Sequence, residues 1–233
     1  FPAGRAGNVR HGAGLPQFGG KYGRRGMNGP ASSYLRADLA AIAEMIPERA
    51  RVLDVGCGDG ALLEHLVRTK NVDGRGVELS QQNVNACVAR GLAVVQGDAD
   101  ADLAEYPSQV FDFVILSQTI QATEKPAQVL AQLLRIGRQA AISLPNFGHW
   151  RVRLSLLWNG RMPRTKALDY YWYDTPNIHL CTLADFVDLA HAQGAVIDRA
   201  LALNQTGVAG EMRPDALSPN LFAQGAIYLL RKS

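Results

Sequence analysis

The sequence predicts an α/β fold, a doubly wound and mostly parallel seven-stranded sheet with helices on both faces. Three observations predict it. Apolar runs of strand length alternate with segments of helical period from residue 33 onward. The run Val52-Leu53-Asp54-Val55-Gly56-Cys57-Gly58-Asp59-Gly60 reads as a strand that turns off through three alternating glycines into a helix. Eighteen residues past the last of these glycines, Val77-Glu78 ends a second strand on an acid.

In chain order, Ser33 precedes Leu35, Leu39, Ile42 and Ile46, a helical stripe that Pro47 closes. Arg51 to Val55 is the first strand, and Ala61, Leu62, Leu63, Leu66 and Val67 mark the helix after it. Gly76-Val77-Glu78 ends the second strand. Ser80 is the expected cap of a helix carrying Val84, Cys87 and Val88, which Gly91 stops. Leu92 to Gln96 is strand three, and Val110 to Ser117 is the strongest strand of the chain. Pro126 stands in the first turn of a helix bearing Val129, Leu130, Leu133 and Leu134, ahead of a fifth strand from Gln139 to Leu144. The Trp-, Arg- and Tyr-rich stretch at about 146–180 reads as a lid or insertion. Thr182-x-x-Asp185 then opens a helix that Gly194 ends. Ala195 to Leu203 and Leu221 to Leu230 are two closing strands, separated by a Gly/Pro loop.

With 47% apolar and 19% charged residues over 233 positions, the composition is that of a soluble globular domain. No apolar run reaches the ~18 residues that a membrane span needs. Cys57, Cys87 and Cys181 are scattered without a C-x-x-C pair, which argues against a disulfide framework and for a cytoplasmic location. The net charge of +3 is unevenly placed. Residues 1–26 hold five basic residues, no acid and eight glycines, and without them 19 basic residues face 21 acids. The basic balance belongs to a tail, so nucleic acid is not an expected partner. Residues 1–31 read as a disordered Gly/Arg-rich extension, with Met27 as the expected natural start, and residues 32–233 as a single domain.

The glycine turn lets backbone approach a ligand closely, and the helix behind it would ordinarily attract a phosphate. Here Asp54 stands before the first glycine and Asp59 between the last two. Two acids repel a pyrophosphate but suit a ligand with positive charge. S-adenosylmethionine (SAM), with its sulfonium and α-ammonium and no phosphate, fits that requirement, as does S-adenosylhomocysteine. The spacing D-x-G-x-G-x-G also differs from G-x-G-x-x-G, and it resembles the first motif of class I SAM-dependent methyltransferases, a Rossmann-like fold.

Ligands of such sheets sit at the carboxyl ends of the strands. The expected cofactor residues are therefore Asp54, Gly56, Cys57, Gly58 and Gly60 of the loop, then Glu78 with Leu79, then Gly97, Asp98 and Ala99, then Ser117 and Gln118. Glu78 is placed to accept from both ribose hydroxyls, and Asp98 resembles the carboxylate that accepts from the adenine amino group. Asp98 and Asp100 equally suit a solvated turn. The strand-four exit, Ser117 to Gln121, has no His or acid, and no catalytic residue is assigned, because Gln118 and Gln121 cannot act as bases near neutral pH. The aromatic block offers His149, Trp150, Arg151, Arg153, Tyr173 and His179, with Gln121, as a candidate acceptor pocket, partner surface or self-packed lid. No ligand set for a metal is expected.

Taken in order, Tyr34-Leu35-Arg36-Ala37-Asp38-Leu39, the glycine motif, Gln96-Gly97-Asp98, Val114 to Thr119, Pro145 to Arg153 and Tyr173-Asp174-Thr175-Pro176-Asn177-Ile178-His179 resemble the MetW family of bacterial methionine-biosynthesis proteins. The resemblance covers almost everything after residue 32. It implies a SAM-binding class I fold, a role in methionine synthesis and association with a homoserine O-acyltransferase. It leaves open whether the chain is an accessory subunit or a methyltransferase with its own small-molecule acceptor, and it does not give the oligomeric state.

Overall fold

The computed structural model describes residues 35–164, 170–204 and 206–233. The expected N-terminal extension lies outside the described residues. Eight strands are described, one more than expected: β1 Arg51–Val55, β2 Asp73–Glu78, β3 Ala93–Gln96, β4 Phe111–Ser117, β5 Gly137–Pro145, β6 Ala195–Asn204, β7 Gly207–Glu211 and β8 Gly225–Lys232. They form one sheet in the order β3-β2-β1-β4-β5-β8-β6-β7. The first five pair in parallel, and β8 runs antiparallel between β5 and β6. The helices are α1 Ala37–Met45, α2 Ala61–Lys70, α3 Gln81–Ala89, α4 Pro126–Ile136, α5 Trp150–Asn159, α6 Leu183–Ala192 and the short α7 Leu217–Phe222.

The alternating faces of the central strands explain the two helical layers. Leu53 and Val55 of β1, with Val114 and Leu116 of β4, pack on one face against Leu130 and Leu133 of α4 and Phe186 of α6. Val52, Phe113 and Ile115 point the other way, against Ile42 of α1 and Leu62 and Leu66 of α2. Central strands are covered on both sides, so β1 and β4 read as mostly apolar runs rather than alternations. α6 begins as its sequence requires. The Thr182 side chain accepts from the Asp185 N–H and the Asp185 carboxylate accepts from the Thr182 N–H. Ser80 stands at the α3 N-cap position but makes no side-chain capping bond.

Three differences from the expected elements are physical in origin. The Gly/Pro loop between the closing strands contains β7, which pairs antiparallel with β6 through a register shift between Ala202 and Leu203. Leu221 belongs to α7, so the last strand begins at Gly225. Within the aromatic stretch, α5 forms although only Val152 of it is buried. A helix with one buried residue leaves no apolar stripe for periodicity to detect.

At the centre of the larger core, Tyr228 is fully buried and its hydroxyl has no hydrogen-bond partner among the described residues. An unsatisfied buried hydroxyl costs about 1–3 kcal/mol. Tyr228→Phe is therefore expected to raise the melting temperature by a few degrees, read by thermal unfolding; a lower melting temperature would mean the hydroxyl has a partner in solution.

Candidate functional site

The loop after β1 is shaped by its glycines. Gly56, Gly58 and Gly60 all have positive φ, at 69°, 58° and 79°. A Cβ on Gly60 would stand 2.7 Å from the Leu92 side chain and 2.8 Å from Cys87 Sγ, so this position is closed to larger residues. Glu78, at the end of β2, braces the loop. Its Oε2 accepts from the Gly58 N–H at 2.8 Å, and Oε1 accepts from Ser80 N–H at 2.9 Å. A carboxylate has about four acceptor positions, so Glu78 keeps capacity for a hydroxyl while holding the turn. Leu79 beside it is two-thirds exposed.

The two loop acids have different fates. Asp59 turns outward, accepting from Ala61 N–H at 3.2 Å and pairing with Arg90 at 3.6 Å. Its carboxylate is thus engaged at the start of α2. Asp54 is 3% exposed, and its carboxylate has no hydrogen-bond partner among the described residues. Burial, reinforced by the Glu78 carboxylate and only partly opposed by Arg36, pushes its carboxyl up to about 7. A buried, unpartnered acid is a site for a cation. Cys57, also buried, carries a thiol pushed far up by burial and by Asp54, which makes it inert packing rather than a nucleophile.

Past β3, Asp98 Oδ1 accepts from Asp100 N–H, and Asp98 N–H donates to Asp102. Asp100 accepts from Glu124 and Lys125 N–H, which fixes the start of α4. Ala99 packs partly buried against the core, and Gly97 N–H donates to Glu78 O. At the strand-four exit, Gln118 has φ 51° and donates through its N–H to Ser143 O at 2.8 Å. Gln121 is 3% exposed. Its Nε2 donates to Gln118 O and to Asn177 Oδ1, its carbonyl accepts from His179 N–H, and its Oε1 is unpartnered.

The aromatic block is an excursion closed at its base, where Phe147 N–H donates to Cys181 O at 3.1 Å. The structure separates its candidate residues into groups rather than gathering them in one place. His149 is buried at the α5 N-cap, with Nδ1 accepting from Arg151 N–H, and burial holds its imidazole below the usual range. It acts as a neutral cap. Trp150, with Arg151 over its ring at 5.3 Å, borders a cavity of about 250 Å³ shared with Phe222 and Gln224. Arg153 is tied to Gly148 O. Tyr173 instead stacks on Tyr171 at 5.3 Å and borders a larger cavity of about 840 Å³ with Phe147, Met162 and Trp172. Of the candidates, His149, Trp150 and Arg151 thus line one cavity and Tyr173 another, and the two cavities share no residue. His179 is exposed.

Reading the sequence alone missed Arg36, Asp38, Ser143 and Asn177. The available signal was Asp38, an acid on the same helical face as Ile42. The three cysteines are free. Among the described residues no group of three or more His, Cys, Asp or Glu is placed to hold a metal ion, and no helix is long and apolar enough to cross a membrane.

The family model described as methionine biosynthesis protein MetW matches residues 36–230. The chain belongs to the MetW family. A relative in that family's company, the bifunctional methionine biosynthesis protein MetXA/MetW of Rhodopirellula baltica, is 35% identical over 207 residues. The match takes in 85% of this chain and 33% of the relative, so the chain spans about a third of that protein's length. Among solved structures, a SAM-dependent methyltransferase of Thermotoga maritima, a possible histamine N-methyltransferase, superposes with TM-score 0.62 at 18% identity, covering 84% of this chain and 88% of that one. The [4+2]-cyclase SpnF superposes with TM-score 0.59 at 16% identity, over 83% and 80% of the two chains. The MetW chain therefore has the class I SAM-methyltransferase fold, and that architecture is shared with a cyclase.

Proposed function

We propose that this chain is a SAM-binding subunit of methionine biosynthesis that acts together with a homoserine O-acyltransferase. The observation that carries the partnership is the MetXA/MetW relative, in which a segment similar to almost all of this chain is joined to MetXA in one polypeptide. Joining two proteins sets their effective concentration high, which favours an interface between them.

The residues present fit the cofactor. Asp54 offers a buried negative charge to the α-ammonium, the glycine loop admits close backbone approach, and Glu78 Oε2 keeps acceptor capacity for a ribose hydroxyl. Leu79 supplies exposed apolar surface for the adenine, with Asp98 as acceptor for its amino group. When bound, SAM supplies an electrophilic methyl group. No His or acid stands at the strand-four exit to act as a base, where Ser117 and Gln118 are committed to hydrogen bonds with Arg36, Asp38 and Ser143. That favours SAM as a signal of pathway output, coupled to the partner by about 1–3 kcal/mol.

The docking surface in this reading is α5 with the aromatic segment after it. Leu157, Trp158 and Trp172 are 76%, 73% and 74% exposed, flanked by exposed Arg151 and Arg153. Large apolar side chains rimmed by Arg are what interface cores are made of. Size-exclusion chromatography of this chain mixed with the homoserine O-acyltransferase of the same organism is expected to give one co-eluting peak, with acyltransferase activity that changes on adding SAM. Separate elution would leave the second reading, a methyltransferase with its own acceptor, which turnover of SAM to S-adenosylhomocysteine in the absence of the acyltransferase would establish.

A further inference from the structure

The glycine loop packs directly on the turn that leaves β4. A Cβ at Gly56 would stand 3.0 Å from Thr119 Oγ1 and 3.2 Å from its Cγ2. Thr119 opens the single 3₁₀ turn Ile120–Ala122, its carbonyl accepting from Ala122 N–H at 2.8 Å. Gln121, within that turn, is 3% exposed and closed to a partner. Its Nε2 has two N–H groups and uses both, one to Gln118 O at 2.7 Å and one to Asn177 Oδ1 at 3.1 Å. Its backbone carbonyl accepts from His179 N–H at 2.9 Å. Asn177 lines the cavity that Trp172 and Tyr173 also border. Direct contacts therefore run from Gly56 through Thr119 and Gln121 to the aromatic segment.

This bridge holds at a cost. Gln121 Oε1 is buried without a partner among the described residues, and Gln118 enters the turn at φ 51°, in the left-handed region. A buried acceptor without a donor and a left-handed side-chain residue are both unfavourable. A bridge with every group satisfied would be fixed whatever else bound to the chain. One that ties down Asn177 while leaving an acceptor empty and a backbone strained is displaced by a small movement of the turn. Coupling between two sites requires an element of this kind, with two arrangements that each site can bias.

We propose that Gln121 couples the SAM site to the docking surface. Cofactor at the glycine loop shifts Thr119 and Gln118, the Gln121 amide loosens its hold on Asn177, and the segment carrying Trp172 is presented differently to the acyltransferase. Gln121 is a positioning residue, acting through Asn177. The inference rests on the reading of SAM as a signal and names the side chain through which that signal passes. Linkage then requires the acyltransferase to change SAM affinity by the same factor as SAM changes acyltransferase affinity.

The three tryptophans of the chain, Trp150, Trp158 and Trp172, all lie on α5 or in the aromatic segment, so intrinsic fluorescence of the full chain reads this region without a partner. SAM is expected to shift wild-type emission over the concentrations at which calorimetry records its binding. Gln121→Leu should bind SAM as the wild type does and leave the emission unmoved. Saturating SAM should change wild-type affinity for the acyltransferase by about fivefold or more, and that of the variant not at all. Asn177→Ala cuts the same bond from its half-buried end and should behave alike, whereas Asn177→Asp keeps an acceptor for Nε2 and should restore the response; this pair decides if Gln121→Leu does not fold. SAM binding without a change in wild-type emission would overturn the inference and leave the SAM reading standing. So would variants that respond like the wild type, an Asn177→Asp that responds like Asn177→Ala, or a loss of SAM affinity itself in Gln121→Leu and Asn177→Ala, which indicates a structural role. Acyltransferase affinity that SAM does not alter would overturn the signal reading, and a wild-type protein that binds no SAM the cofactor reading, each taking this inference with it.

Discussion

Replacing Asp54 by Asn is expected to stabilise the free protein by up to about 4 kcal/mol at alkaline pH while weakening its binding of SAM. The carboxyl is buried beside Glu78, and its value in the folded state is about 7 against 3.8 for the ordinary group. The folded protein thus binds the proton more tightly than the unfolded chain. Between those two values, rising pH lowers stability, and the full cost is present above about pH 7. Asparagine fills the same volume without a charge to desolvate. Thermal unfolding of both proteins at about pH 5 and about pH 8 checks this, with the gap between them widening at the higher pH. The same carboxylate must be ionised to receive an ammonium, so wild-type SAM affinity should rise with pH through about 7, and the Asn variant should lose both the affinity and its pH dependence. Identical melting of the two proteins at both pH values would mean that Asp54 is solvated and not strained.

Leu157→Ala combined with Trp158→Ala is expected to abolish co-elution with the homoserine O-acyltransferase and to leave both SAM affinity and melting temperature nearly unchanged. Both side chains are about three-quarters exposed, so truncating them removes little burial from the folded chain. At the centre of an interface each is worth on the order of 2 kcal/mol or more, and a loss of about 4 kcal/mol weakens binding roughly a thousandfold. Trp150 is a poorer target. It is only 37% exposed and carries its own cation–π contact with Arg151. If the double variant still co-elutes at micromolar concentration, the acyltransferase docks elsewhere. A melting temperature several degrees lower would show that α5 is packed in solution more tightly than its exposure indicates.

The parallel half of the sheet was legible in the sequence because each element carries its own local signal. Apolar runs mark β1 and β4, Thr182 and Asp185 cap α6, and Gly56, Gly58 and Gly60 mark a turn only small residues allow. The cofactor reading came from the same local source, the acids beside the glycines, although the structure divides their roles. Asp59 is satisfied by Arg90 and the start of α2, and Asp54 alone is left facing inward. That division depends on which way each side chain points after the turn, and the turn is set by φ angles no residue type specifies by itself.

What tertiary structure decided is everything built across long sequence separations. β7 exists because β6 offers an open edge to Gly207–Glu211, and the chain between gives no apolar alternation of its own. Arg36 and Asp38 reach Ser117 and Ser143 only because α1 crosses the ends of β4 and β5, some 80 to 105 positions away in the chain. The aromatic block was conspicuous by composition, but only the tertiary structure sets Trp150 on one cavity and Tyr173 on another. Composition marks which residues carry chemistry. Whether two of them act on one ligand depends on where the packed layers set them down, since burial energy, being non-directional, rewards any compact arrangement and only the joint fit of all the elements selects one.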